Sequence, residues 1–147
     1  MQTILVAISS SSVADDLLAV VERIARATDA TVVVFHLRER LFEGTEWFFG
    51  NGPFVEGRAE STQVLRHAVD RLRSHQVRAR TATRGGRPTQ VGPTIVAVAR
   101  EEAADLIVVG FHHPASMFAT DVVRGVLRSS SVPVLTVPVR DGTRRES

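Results

Sequence analysis

Thr3-Ile4-Leu5-Val6-Ala7-Ile8 is a continuous apolar run rich in branched side chains. Such a run, bounded by a serine-rich turn, predicts a strand buried on both faces, as in a parallel sheet. Thr31-Val32-Val33-Val34-Phe35-His36-Leu37 and Asp105-Leu106-Ile107-Val108-Val109-Gly110 have the same character. Between the first two lie Ala14, Leu17, Leu18, Val21, Ile24 and Ala25 at helical spacing. Asp15 and Asp16 stand where the positive end of that helix favours them, and Arg23 and Arg26 at the opposite end. Parallel strands need crossover connections, so strand, helix and strand in succession predict a right-handed βαβ unit.

The pattern repeats along the chain. A helix is expected from Arg58 to His75, with Val64, Leu65, Ala68 and Leu72 inward. Val77 to Thr83 interleaves small or apolar residues with Arg78 and Arg80 and reads as a half-exposed edge strand. A loop with Gly85, Gly86 and Pro88 leads to a helix carrying Ile95, Val96, Val98 and Ala99. A loop and a helix at about 120–130 precede the closing strand, Val132 to Val139. The expected architecture is α/β: a five-stranded, doubly wound parallel sheet with helices on both faces, of Rossmann-like type. One domain is expected over residues 1–139, followed by a polar tail, 140–147.

Composition narrows the chemistry. The chain has 147 residues, 44% hydrophobic and 23% charged, which is a globular composition and not a disordered one. No apolar run reaches the roughly 18–20 residues of a membrane helix, and Met1-Gln2-Thr3 lacks a basic leader. A cytoplasmic address without membrane association is expected. Cysteine is absent, which excludes disulfides, thiolate catalysis and thiolate metal sites. All 18 basic residues are arginine, so the pI near 10.8 reflects the lack of lysine and tyrosine to titrate, the net charge being only +2. Arg78, Arg80, Arg84 and Arg87 suit the defence of an edge strand better than a nucleic-acid stripe, and no nucleic-acid partner is expected.

In doubly wound sheets, ligands bind beyond the carboxyl ends of the strands, where strand order reverses. That places the candidate site in the segments Ser9 to Ser12, Leu37 to Phe54 and Gly110 to Asp121. The serine run lacks a nucleophile elbow and reads as helix capping. His112 and His113 read as a loop pair, because adjacent residues diverge and no further ligand stands at metal spacing. His36 reads as a core histidine, and Glu101 and Glu102 as a solvated helix end. No catalytic residue and no metal ligand is assigned.

Residues 38–56 are broken by Gly44, Gly50, Asn51, Gly52 and Pro53 and hold five of the eight aromatics: Phe42, Trp47, Phe48, Phe49 and Phe54. Aromatics in a loop must bury on the chain's own core, on a ligand or on a partner, so Phe42–Phe54 is a candidate protein-partner surface. The closing strand, Val132–Val139, is apolar and carries Pro133 and Pro138, which belong at a sheet edge. A second copy pairing there antiparallel would cover it.

Ile4-Leu5-Val6-Ala7-Ile8, Ala104-Asp105-Leu106-Ile107-Val108-Val109-Gly110 and Val132-Pro133-Val134-Leu135-Thr136-Val137 together resemble the universal stress protein family over about residues 2–139. The resemblance implies a five-stranded parallel α/β domain, a homodimer often joined through the last strand, and a stress-response role. It also implies a nucleotide pocket at Ala7, Ser9, Leu37, Gly110, His113, Thr120 and Asp121. ATP-binding members carry Gly, two residues, Gly, nine residues, then Gly-Ser or Gly-Thr. Gly110 matches the first glycine, but His113 stands at the second and Thr120-Asp121 at the pair, with a loop three residues shorter. Ser9 stands where ATP binders usually have Asp. Asp121, expected at the helix start, would cap the free N–H groups itself and repel a polyphosphate. The expectation is a non-enzymatic, homodimeric protein with a degenerate ATP site and no resident cofactor. The alternatives are a regulator binding ATP or AMP in a modified pocket, and a small hydrolase using Ser9 or a histidine.

Overall fold

Each apolar run forms a strand, and the strands form one parallel sheet. A computed structural model describes residues 1–8, 14–38, 52–85, 91–113 and 117–140; for 14, 37–38, 52–62, 83–85, 111–113, 117–121 and 140 it describes the backbone alone. The elements are β1 (Thr3–Ile8), α1 (Ala14–Thr28), β2 (Thr31–Arg38), α2 (Gly52–Ser74), β3 (Ala79–Gly85), α3 (Val91–Glu101), β4 (Leu106–His113), α4 (Met117–Ser129) and β5 (Val134–Arg140). The sheet order is β3-β2-β1-β4-β5, with every pairing parallel. The order reverses at β1, as a doubly wound fold requires.

The central strands are buried on both sides, which explains their unbroken apolar sequence. Ile4, Val6, Val32, Val34 and Val108 pack against Leu17, Leu18 and Val21 of α1 and Leu65, Ala68 and Leu72 of α2. On the other face, Leu5, Val33, Phe35, Ile107 and Val109 pack against Ile95 and Ala99 of α3 and Val126 of α4. No helix among the described residues is long and apolar enough to cross a membrane.

Several boundaries differ from the sequence expectation, each for a local reason. Helix α2 begins at Gly52 and not Arg58. Pro53 starts this helix where it was read as a break, because a proline in the first turn gives up an N–H that has no intrahelical partner. Val77 belongs to the cap of α2. Its N–H donates to Leu72 O at 3.0 Å and Gln76 N–H to Arg73 O at 3.0 Å, with Gln76 at φ 70°. Strand β3 therefore begins at Ala79. Strand β4 runs on to His113 because β5 continues to pair with it, His113 lying opposite Arg140. The two histidines are thus strand residues and not a loop pair, and Arg140 belongs to β5. Strand β5 begins at Val134, since Ser130 holds the preceding turn through Oγ, donating to Val132 O at 2.7 Å and accepting from Val132 N at 2.9 Å.

Asp105 stands just before β4 and ties two strands together. Its Oδ2 accepts from Gln2 N at 2.8 Å and Thr3 N at 3.0 Å, while its own N–H donates to Thr3 O at 2.8 Å. These hydrogen bonds from Gln2, then Thr3, hold its carboxyl below the usual range. The Asp in the Ala-Asp-Leu-Ile block thus has a sheet-registering role.

Candidate functional site at the carboxyl ends of the strands

Strand β1 is described as far as Ile8. Ile8 pairs with His36, and β2 is described through Leu37 to Arg38. Ala7 pairs with Val109, so Ile8 lies level with Gly110, and β4 continues three residues further to His113. The described ends of β2, β1 and β4 lie side by side on the carboxyl edge of the sheet. Strand order reverses here, at β1 between β2 and β4.

The structure brings most of the expected pocket to this edge. Ala7, Leu37, Gly110 and His113 lie on the three adjacent strands β1, β2 and β4. They do not share one face. Ala7 is half-buried against the α3/α4 side. Leu37 and His113 occupy positions of that same face by strand alternation. Gly110 belongs to the α1 side, where a Cβ would stand 2.8 Å from Val139 Cγ2 and 3.5 Å from Leu17 Cδ2. Lack of a side chain at Gly110 thus serves the packing of β5 and α1 over β4. Ser9 lies outside the described residues, as do Phe42, Trp47, Phe48 and Phe49; Phe54 lies in the first turn of α2.

Thr120 and Asp121 fall in α4, but not at its start. The helix begins at Met117, so Asp121 is its fifth residue. The free N–H groups belong to the first turn, so Asp121 does not cap them from an N-cap position. Sequence spacing misplaced the helix start by about a turn.

Gly125, which the motif could not absorb, has a packing role. A Cβ on Gly92 would stand 2.6 Å from Gly125 C and 2.7 Å from its Cα, so α3 and α4 meet backbone to backbone. His36 is 7% exposed and stands beside Ile8, with its Nδ1 shut off from solvent. Arg78 pairs with Asp29 at 3.3 Å and Arg80 with Glu102 at 2.6 Å, so both edge arginines sit in ion pairs. Arg73 donates through Nε at 3.1 Å and Nη2 at 2.8 Å to Ala79 O. Arg78 O accepts from Val32 N of β2, so Ala79 O faces the outer edge and Arg73 covers it. Sequence reasoning missed this cap, which only the α2–β3 geometry reveals.

Away from the carboxyl edge, Glu22 of α1 accepts from Arg71 Nε at 2.9 Å and bonds His75 Nδ1 at 2.8 Å, joining α1 to α2. Burial alone would raise its pKa, but the hydrogen bonds from His75 and Arg71 and their charges outweigh it and lower it. Among the described residues no three His, Asp or Glu side chains gather in a group able to hold a metal ion.

The sequence model of the Universal stress protein family matches residues 1–138. A comparison with curated protein sequences returned no match. Solved structures share the fold. A hypothetical protein taken as a test case of structural genomics superposes with a TM-score of 0.78 at 21% identity, covering 99% of this chain and 98% of that one. The universal stress protein from Archaeoglobus fulgidus in complex with dAMP gives a TM-score of 0.69 at 24% identity, covering 93% and 98%. An Arabidopsis thaliana family protein with AMP bound gives 0.68 at 16% identity, covering 100% and 97%. With its sheet order, its crossovers and a family match over nearly its whole length, the chain belongs to the universal stress protein family.

Proposed function

We propose that this chain is a non-enzymatic, homodimeric stress-response protein whose glycine-based polyphosphate cradle is degenerate. The observation that carries the reading is the Gly110–Val139 contact, in which the motif's one surviving glycine is used for packing. Three residues on, where the family pattern has its second glycine, regular strand continues to His113 opposite Arg140. A cradle needs backbone N–H groups free to turn toward phosphate oxygens, and by alternation from Ile107, whose N–H donates to Pro133 O, the N–H of His113 faces β5. Thermal unfolding tests this. Mg·ATP at roughly a hundredfold excess over its Kd would add about 2.7 kcal/mol; the reading expects no shift, and no turnover of ATP or simple esters.

A second reading, a regulator taking AMP or ATP in a modified pocket, draws support from the relatives bound to dAMP and AMP. It would use Ala7, Ser9, Leu37, Gly110, His113, Thr120 and Asp121.

The two sheet edges favour dimerisation through β5. Charged side chains and Arg73 guard β3, whereas β5 is apolar from Val134 to Val139 apart from Thr136. Pro133 O accepts from Ile107 N, so by alternation Val134, Thr136 and Pro138 turn their backbone groups outward. Pro138 thus has its missing N–H on the free side. Antiparallel pairing with Leu135 on the two-fold axis sets Val134 against the partner's Thr136 and leaves Pro138 out of both complete pairs. Phe42–Phe54 is proposed as a surface for a further protein partner.

A further inference from the structure

We propose that Arg73 is an autoinhibitory guard on the outer edge of β3. Its guanidinium fills the backbone acceptor at which that edge would otherwise add a second copy of the chain. The proposal goes beyond the reading of β5 as the dimer edge and does not depend on it.

Strand β3 is the outermost strand on its side of the sheet, with β2 as its neighbour. Val32 N donates to Arg78 O at 2.8 Å, so alternation turns the backbone groups of Ala79, Thr81, Thr83 and Gly85 away from β2. Such a row of N–H and C=O groups is a template for another strand. The strand's own residues do not discourage one, since it is seven residues long, has no proline and carries two β-branched threonines. Ion pairing takes up the charges beside it. Arg78 is drawn back over the start of β2, pairing with Asp29 Oδ1 at 3.3 Å and donating to Asp29 O at 2.8 Å and Thr31 Oγ1 at 3.3 Å. Arg80 is held by Glu102, just past the end of α3, at 2.6 Å. Both charges are compensated, and both head groups are turned to the chain's own elements.

Arg73 reaches the edge itself. From the last turn of α2, its Nε and Nη2 donate to Ala79 O at 3.1 and 2.8 Å. A carbonyl oxygen has two lone pairs, and the guanidinium fork fills both. Its nitrogens also stand where the N–H nitrogen of an added strand would, about 2.9 Å from the oxygen. Antiparallel pairing of two β3 strands centred on Thr81 would set Ala79 against the partner's Thr83; centred on Ala82, it would set Ala79 against the partner's Gly85. In both registers Ala79 O is a required acceptor, so an added strand cannot seat until Arg73 lets go. The end of α2 does not need this contact for its own closure. His75 N and Val77 N donate to Leu72 O, and Gln76 N to Arg73 O, each at 3.0 Å.

The experiment is sedimentation velocity of the full chain and its variants over a wide range of concentration. Arg73→Met keeps the apolar stem and removes the fork. It should add a species heavier than any the unaltered chain forms, growing with concentration, while the far-ultraviolet circular dichroism stays that of the unaltered chain. Thr81→Pro removes an outward N–H that β2 does not use. Added to Arg73→Met, it should abolish the heavier species. Thr136→Pro, on the opposite edge, should still let two Arg73→Met copies join. Arg73→Gln is read in place of Arg73→Met if the latter lowers the unfolding temperature. A folded Arg73 variant that sediments as the unaltered chain does overturns the inference, and so does association that survives Thr81→Pro. Neither result touches the β5 reading, which falls separately if Thr136→Pro alone leaves sedimentation unchanged.

Discussion

The Cβ position of Gly92 lies 2.6 Å from the carbonyl carbon of Gly125, so helices α3 and α4 touch through their backbones. No side chain can occupy that space without parting the helices, because every near atom is main chain. Gly92→Ala should therefore destabilise the domain by about 1–3 kcal/mol, the usual range for overpacking. Gly125→Ala should cost less, its nearest contact being Gly92 Cα at 3.3 Å. Chemical denaturation of both variants checks the order.

Three helices end on a left-handed residue that is not glycine: Asp29, Gln76 and Ala103, at φ 57°, 70° and 56°. At each, the following N–H reaches back to close the cap, as Ala104 N does to Ala99 O at 2.8 Å. An L-residue with a Cβ pays about 1 kcal/mol in this conformation. Ala103→Gly should raise stability by about that amount, read as a higher denaturation midpoint with an unchanged slope.

Glu22 has a lowered pKa in the folded chain. Its contribution is therefore fully present above its unfolded value of 4.5 and is lost as pH falls through the lower folded value. Glu22→Gln should lower the unfolding temperature clearly at pH 7, and by less as the pH drops below about 4. Asp105→Ala should behave alike, since its folded pKa is also depressed by the bonds from Gln2 and Thr3. A pH-independent deficit in either variant would contradict these roles.

Thr136 turns its backbone outward from β5, toward the proposed partner copy. Thr136→Pro removes an N–H that β4 does not use, so the monomer should fold while the dimer is lost. Analytical ultracentrifugation should show a dimer for the unaltered chain and a monomer for the variant. The same sedimentation for both would place the interface elsewhere.

The strands were legible in the sequence because burial on both faces leaves an unbroken apolar run, as in Ile4 to Ile8 or Leu106 to Val109. Helix starts were less so. Pro53 looks the same whether it stops a helix or opens one, and the start of α4 at Met117 carries no strong cap signal within its own residues. The packing use of Gly110 and Gly125 was hidden as well, because a glycine in sequence does not say which atom takes the space. His113 read as loop because its strand partner, Arg140, lies 27 residues away and is brought opposite it only by the sheet.

Equilibrium dialysis of the purified chain against radiolabelled Mg·ATP tests the degenerate cradle most directly, because it counts nucleotide bound per chain. The account predicts no saturable binding below millimolar Mg·ATP, roughly −4 kcal/mol at best. Stoichiometric binding at micromolar concentration, about −8 kcal/mol, would mean that the backbone around Gly110 and His113 still cradles a triphosphate, and would contradict it.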